Sequence, residues 1–126
     1  MQEGLCLGID WGEARIGLAT GDLASKVASP EGVAKNLKDL LMIIKKENPS
    51  ILIVGNPMSL RGGQANKSFK DFLDKLKKEV GDLPIILIDE RMSSAQADSL
   101  DKQNKRKGMR DSLAAMVILQ SYFDGL

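Results

Sequence analysis

The sequence predicts a mixed α/β sheet with helices packed on both of its faces. Two apolar runs near the N-terminus, GLCLGID at 4–10 and ARIGLAT at 14–20, are joined only by Trp11-Gly12-Glu13, a tight connection that favours an antiparallel pair. Two fully apolar runs, ILIV at 51–54 and IILI at 85–88, have the composition of strands buried in a parallel sheet. Segments of helical periodicity stand between and after these runs, which is the alternation of βα units.

The elements follow in chain order. A third short strand is expected around 23–28, with Pro30 and Gly32 as punctuation behind it. Residues 34–47 place Leu37, Leu40, Leu41 and Ile44 at helical spacing with lysines opposite, and Pro49 stops that helix. The loop GNPMSLRGGQAN follows the 51–54 strand and leads into a helix over about 65–80, with Phe69, Phe72, Leu73 and Leu76 as its apolar stripe. Gly81 and Pro84 end it before the 85–88 strand. A helix over 93–101, the basic stretch KQNKRKGMR at 102–110 and a last helix over 110–123 complete the order β-β-(β)-α-β-α-β-α-α. No internal repeat or linker interrupts it, so residues 1–126 read as one domain.

Composition limits the chemistry. Apolar residues make up 43% of the chain and charged ones 28%, the balance of a soluble globular protein rather than a disordered one. The formal net charge is +1, so any basic footprint for nucleic acid must be local. Histidine is absent and Cys6 is the single cysteine, which excludes an internal disulfide, a cysteine-cluster or histidine-ligated metal site, and Ser-His-Asp or Cys-His catalysis. Cys6 reads as a small buried hydrophobe in a reducing compartment. For a hydrolase, carboxylates and hard cations remain. No run reaches the roughly 20 apolar residues of a membrane span, and MQEGLCLGID lacks the basic start and cleavage site of a signal peptide. A cytoplasmic protein with no membrane partner is expected.

Three acids stand where such chemistry would need them. In the first strand Leu5, Leu7 and Ile9 share one face and Cys6, Gly8 and Asp10 the other, so Asp10 has small neighbours and room for a ligand. An aspartate before a turn is also ordinary turn chemistry. Asp89 and Glu90 close the second buried strand, where ligands gather in open α/β sheets. They read equally as acids leading the next helix, with Ser93 as its cap. The last helix spaces Asp111, Ala115, Ile118 and Tyr122 by 4, 3 and 4, so its inward stripe begins with an aspartate. Three converging carboxylates repel one another unless a cation joins them, and without histidine or cysteine they suit Mg²⁺ or Mn²⁺. Two such ions roughly 3.5–4 Å apart activate water against a phosphodiester.

Positive charge concentrates beside the third acid. Lys102, Lys105, Arg106, Lys107 and Arg110 occur at 102–110 with no acid among them, and read as a phosphate contact or as a solvated loop. Arg15 and Arg91 either hold phosphate or partner a carboxylate. The loop with Gly55, Asn56, Arg61, Gly62 and Gly63 matches neither a dinucleotide fingerprint nor a P-loop. It is either shaped for a substrate backbone or an ordinary βα connection.

The segments LGIDWGEARIGLA, IVGNPMSLRGG, LPIILIDERMSSAQA and RDSLAAMVILQSYF, in this order and nearly end to end, resemble the YqgF/RuvX family. Its members are RNase H-like proteins assigned as Holliday-junction resolvases or pre-16S rRNA nucleases. The resemblance implies a five-stranded mixed sheet of order 3-2-1-4-5 with its acids at one edge. It implies that Asp10 bridges the metal ions, that Glu90 rather than Asp89 is the second ligand, and that Asp111 is the third. The departures, Trp11 for Phe, Asn56 for Leu and Met92-Ser93-Ser94 for Leu-Thr-Thr, touch no expected ligand.

The family reading favours 5′-end processing of pre-16S rRNA over resolution of branched DNA. No dimer face is evident, and a monomer or weak homodimer is expected. The rival from another class is a non-catalytic RNase H-like module that only binds nucleic acid. Acids facing a phosphate backbone add nothing but repulsion to such a module unless a cation is bound.

Overall fold

The computed structural model describes residues 2–56, 64–89 and 107–126. In chain order they form β1 (Gln2–Asp10), β2 (Ile16–Asp22), β3 (Val27–Ala34), α1 (Leu37–Glu47), β4 (Pro49–Asn56), α2 (Gln64–Val80), β5 (Ile85–Asp89) and α3 (Lys107–Asp124). The helix expected at 93–101 lies outside the described residues.

The strands make one mixed sheet in the order β3-β2-β1-β4-β5, the order that the family resemblance implied. β1 and β2 run antiparallel, paired from Leu5↔Asp22 to Asp10↔Gly17. β4 joins β1 in parallel through Ile9↔Val54, and β5 joins β4 in parallel through Gly55↔Ile88. Strand alternation then divides the core in two. Leu7, Ile9, Leu52 and Val54 pack against Leu40 and Ile44 of α1 and against Phe69, Phe72, Leu73 and Leu76 of α2. Cys6, Ala19 and Ile53 pack on the other face against Ala115, Ile118, Leu119 and Phe123 of α3.

Local chemistry sets the helix ends. Helix α1 starts at Leu37 rather than 34 because Asn36 caps it, its side-chain oxygen accepting from the Asp39 N–H at 2.9 Å. It stops at Asn48, left-handed at φ 52°, and Pro49 opens β4.

The third strand differs from expectation. It runs Val27–Ala34, not 23–28, and contains both Pro30 and Gly32. The turn before it is built by Asp22, whose Oδ1 accepts from the Ala24 N–H at 2.7 Å and whose carbonyl accepts from the Lys26 N–H at 2.8 Å. Since β3 lies at the sheet edge, Pro30 is tolerated without its N–H. The register shifts between Leu18↔Gly32 and Ala19↔Pro30, so Glu31 is taken up as a bulge. The second strand likewise lies at Ile16–Asp22 instead of 14–20.

Helix α3 lies almost directly on the strands. A Cβ on Gly8 would stand 2.9 Å from Leu119 Cβ, and one on Gly21 would stand 2.6 Å from Phe123 Cε2. Buried Ser112 donates to the Leu18 carbonyl at 2.8 Å and accepts from the Gly32 N–H at 3.0 Å. Farther along, Gln120 accepts from the Ala28 N–H at 3.0 Å and donates to the Lys26 carbonyl at 2.9 Å. These two side chains tie the helix to β2 and β3. No helix among the described residues is long and apolar enough to cross a membrane.

The bulged Glu31 is held beside Glu47 at the end of α1. Burial pushes the Glu31 carboxyl above the usual carboxylate range, and Glu47 adds to this through a hydrogen bond and like charge, while the Thr20 hydroxyl and Lys46 oppose it. A proton held more tightly in the native state stabilises the fold below the ordinary carboxylate range. That stabilisation is lost as pH rises through the raised native value. Thermal melts should therefore show Glu31→Gln more stable than the parent near neutrality, with the advantage shrinking in acid. Equal melting curves at both ends of the range would remove the coupling.

Candidate active site

Asp10 is the last residue of β1 and shares the α3 face with Cys6 and Gly8. The next residue crosses to the other face. Trp11 is 8% exposed and packs against Phe69 and Phe72, with ring centroids 5.9 and 6.1 Å away. An apolar anchor on one side thus holds the strand end that presents the carboxylate on the other. Its Oδ1 is cut off from solvent.

Asp111 reaches the same place from α3. Directly across the ladder from Asp10 is Gly17, and a Cβ on Gly17 would overlap the backbone carbonyl of Asp111. Paired residues on antiparallel strands have their Cα atoms about 5 Å apart, so Gly17 seats the first part of α3 beside Asp10. The helix register agrees. Gly8 lies under Ala115 and Leu119; two residues up the strand and one turn back along the helix lead to Asp10 and Asp111. Of the inward stripe expected at Asp111, Ala115, Ile118 and Tyr122, Ala115 and Ile118 are buried, while Asp111 and Tyr122 at its ends are only partly buried.

Arg15, just before β2, donates from Nε to Asp111 Oδ2. The two side chains are 34% and 26% exposed, so the pair sits at the solvent boundary. Of the two roles open to Arg15 in the sequence, partner of a carboxylate is the one seen.

Asp89 does not join this group. The register pairs Leu52↔Ile85, Val54↔Leu87 and Asn56↔Asp89, which places Asp89 on the α1–α2 face, opposite Asp10. Ile86 and Ile88 pack on the α3 face. Gly55 and Asn56, expected in a substrate loop, are the last two residues of β4 instead, and Gly55 is buried. The continuous apolar run before them hid the extra length of strand. Arg61, Gly62, Gly63, Glu90, Arg91, Lys105 and Arg106 lie outside the described residues. Lys107 opens α3 and Arg110 stands exposed one residue before Asp111, so the basic stretch ends in helix rather than in loop. Among the described residues no three of His, Cys, Asp and Glu gather as a metal-holding group. A cavity of about 340 Å³ opens beside the site on the α1–α2 side, lined by Trp11, Glu13, Lys35, Asn36, Asp71 and Lys75 among others.

A family model described as "RuvX: Holliday junction resolvase" matches residues 4–125. The chain belongs to the RuvX family. Relatives named "Putative pre-16S rRNA nuclease" include one from Fusobacterium nucleatum subsp. nucleatum, 34% identical over 94% of this chain and 95% of the relative. Another, from Methylobacillus flagellatus, is 38% identical over 98% of this chain and 92% of the relative. The solved structure titled "T. thermophilus RuvC in complex with Holliday junction substrate" matches with a TM-score of 0.67, over 96% of this chain and 94% of that one, at 14% identity. That likeness is one of fold.

Two features of this RuvX-family site were not read from the sequence. Gly17 was one glycine in an apolar run, and only the crossing of α3 shows why it lacks a side chain. Ser112 looked like any polar residue in a helix, yet its hydroxyl serves both β2 and β3. Substituting Gly17→Ala should destabilise the fold by about 1–3 kcal/mol, the usual range for overpacking. Gly125→Ala, where the nearest atom is 3.6 Å away, should be close to neutral. Urea unfolding compares them, and equal midpoints would mean that α3 does not rest on Gly17.

Proposed function

We propose that the chain is a divalent-metal-dependent nuclease that hydrolyses phosphodiester bonds in structured RNA, with 5′-end processing of pre-16S rRNA as its task in the cytoplasm. The observation that carries this reading is the meeting of Asp10 and Asp111 over Gly17. Two adjacent carboxylates are hard oxygen donors, and their charge suits a hard cation such as Mg²⁺ or Mn²⁺. Asp89 faces away, which leaves Glu90, outside the described residues, as the third carboxylate of the proposal. The RNA assignment follows the names of the relatives at 34–38% identity.

In this reading Asp10, Asp111 and Glu90 would hold the metal, whose chemistry when bound would be to activate a water and offset the charge that develops on the phosphate. Folding has already removed Asp10 Oδ1 from solvent, so a donor group is oriented before any ligand arrives. Trp11 keeps the strand end from moving, and Ser112 fixes the turn of helix next to Asp111. Lys105, Arg106, Lys107 and Arg110 draw the phosphate backbone toward that helix end. A branched-DNA substrate is the second reading, favoured by the description of the matching family.

The first test incubates the protein with Mn²⁺ and either a precursor-rRNA fragment or a four-way DNA junction, with EDTA and Asp10→Asn as controls. Cleavage of the RNA, abolished by EDTA and by Asp10→Asn in a folded protein, is expected. Cleavage of the junction alone would move the assignment to branched DNA. Binding without cleavage of either substrate would return the chain to a binding module.

Neutralising Lys105, Arg106 and Lys107 together should weaken RNA binding and flatten its dependence on salt, each lost phosphate contact lowering the slope by about 1. An unchanged slope would make that stretch a solvated one.

A further inference from the structure

Arg15 has more donors than its observed contact uses. A guanidinium carries five N–H groups in a rigid planar fork. One of them, on Nε, is given to Asp111 Oδ2. Among the described residues no other hydrogen bond or ion pair involves Arg15, and its side chain is 34% exposed. The four N–H groups on its terminal nitrogens thus have no partner among the described residues, on a side chain that solvent partly reaches. Its position is also fixed, because Arg15 stands two residues before Gly17, and Gly17 pairs with Asp10.

Two carboxylates at this point present a problem for a polyanionic substrate, since each repels an approaching phosphate. A cation that only neutralised Asp111 would ease the repulsion without contributing contact. An arginine that spends one edge on the carboxylate and keeps the other edge free does both.

We propose that Arg15 bridges the site and its substrate. Nε holds Asp111 by Oδ2, so that Oδ1 would be the oxygen offered to a metal, and the Nη groups would take a non-bridging oxygen of a substrate phosphate. Arg15 is thus a positioning residue toward the metal and a direct contact toward the nucleic acid. The inference rests on Asp10 and Asp111 being metal ligands.

The geometry separates arginine from lysine. Lysine keeps the positive charge, but its single compact ammonium does not orient a carboxylate and present a second donor edge together. Calorimetric titration with Mn²⁺ alone should show binding weakened about 10–100-fold in both Arg15→Lys and Arg15→Gln, the usual effect of removing a hydrogen-bond partner from a ligand. Binding of a labelled precursor-rRNA fragment in EDTA, followed against KCl, should lose about 1 from its salt slope in Arg15→Gln and keep it in Arg15→Lys. Circular dichroism confirms the fold of each variant. If Arg15→Gln fails to fold, the Mn²⁺ titration of Arg15→Lys decides the positioning role, and the salt slope of a second charge-removing variant, Arg15→Met, decides the phosphate contact.

Mn²⁺ affinity equal to or tighter than the parent's in the folded variants would overturn the positioning role, since Arg15 would then compete with the metal or ignore it. An unchanged slope in Arg15→Gln would overturn the phosphate contact. Both results differ from failure of the nuclease reading itself, in which the parent protein binds neither Mn²⁺ nor the RNA.

Discussion

Everything at the candidate site depends on how closely α3 lies on β1 and β2. Gly8, Gly17 and Gly21 remove the strand side chains at the points where the helix crosses them. On the helix side the backbone of Asp111 lies against Gly17, while Leu119 and Phe123 pack into the space left by Gly8 and Gly21. A strand glycine costs up to about 1 kcal/mol in conformational entropy relative to alanine. Close contact along the helix offsets that cost, and the hydrogen bonds of Ser112 and Gln120 then fix its slide and rotation. Once both are fixed, the place of Asp111 is determined, over Gly17 and beside Asp10.

The sheet separates support from chemistry. Consecutive residues of a strand point to opposite faces, and Asp10-Trp11 uses that rule at the end of β1. Trp11 lies among Phe69 and Phe72 in the core that α1 and α2 close. Large aromatic side chains bury on the order of 150–250 Å² each, so this cluster is a strong anchor for the strand end. The carboxylate on the other face inherits that rigidity. The same alternation explains why Asp89, two strands away in β5 and on the face of Leu87, is not part of the group.

The parts of this arrangement that were legible in the sequence are those governed by local period. The alternation of Leu5, Leu7 and Ile9 against Cys6, Gly8 and Asp10 carried over to the two cores. So did the stripe from Phe69 to Leu76 in α2 and the buried Ala115 and Ile118 of α3. Strand order came from family resemblance, because no local pattern states which strands become neighbours. The third strand lies farther along than local pattern predicts because Pro30 and Gly32 are stop signals in an isolated sequence, whereas an edge strand accommodates both through a bulge. The pairing of Arg15 with Asp111 joins residues 96 positions apart, and only the three-dimensional crossing brings them together.

What remains is why the chemistry should rest on carboxylates at all. The chain has no histidine, and its one cysteine is fully buried, with burial and then the charge of Asp22 pushing its thiol up. A thiol in that environment is a poor nucleophile. The net charge of +1 gives no long-range attraction for a polyanion, so local fields must do the work. Asp10 and Asp111 differ in a way that matters here: one oxygen of Asp10 is shut away from water, while the Asp111 side chain is 26% exposed. Desolvating an acid is unfavourable, and folding has met that cost before any ligand binds. In the proposed reading a cation would meet Asp10 with part of the carboxylate's desolvation already complete, whereas Asp111 stays paired with Arg15 at the solvent boundary. On that proposal the half-buried Asp10 would supply affinity for the cation, and the exposed ion pair would supply the opening through which a phosphate approaches.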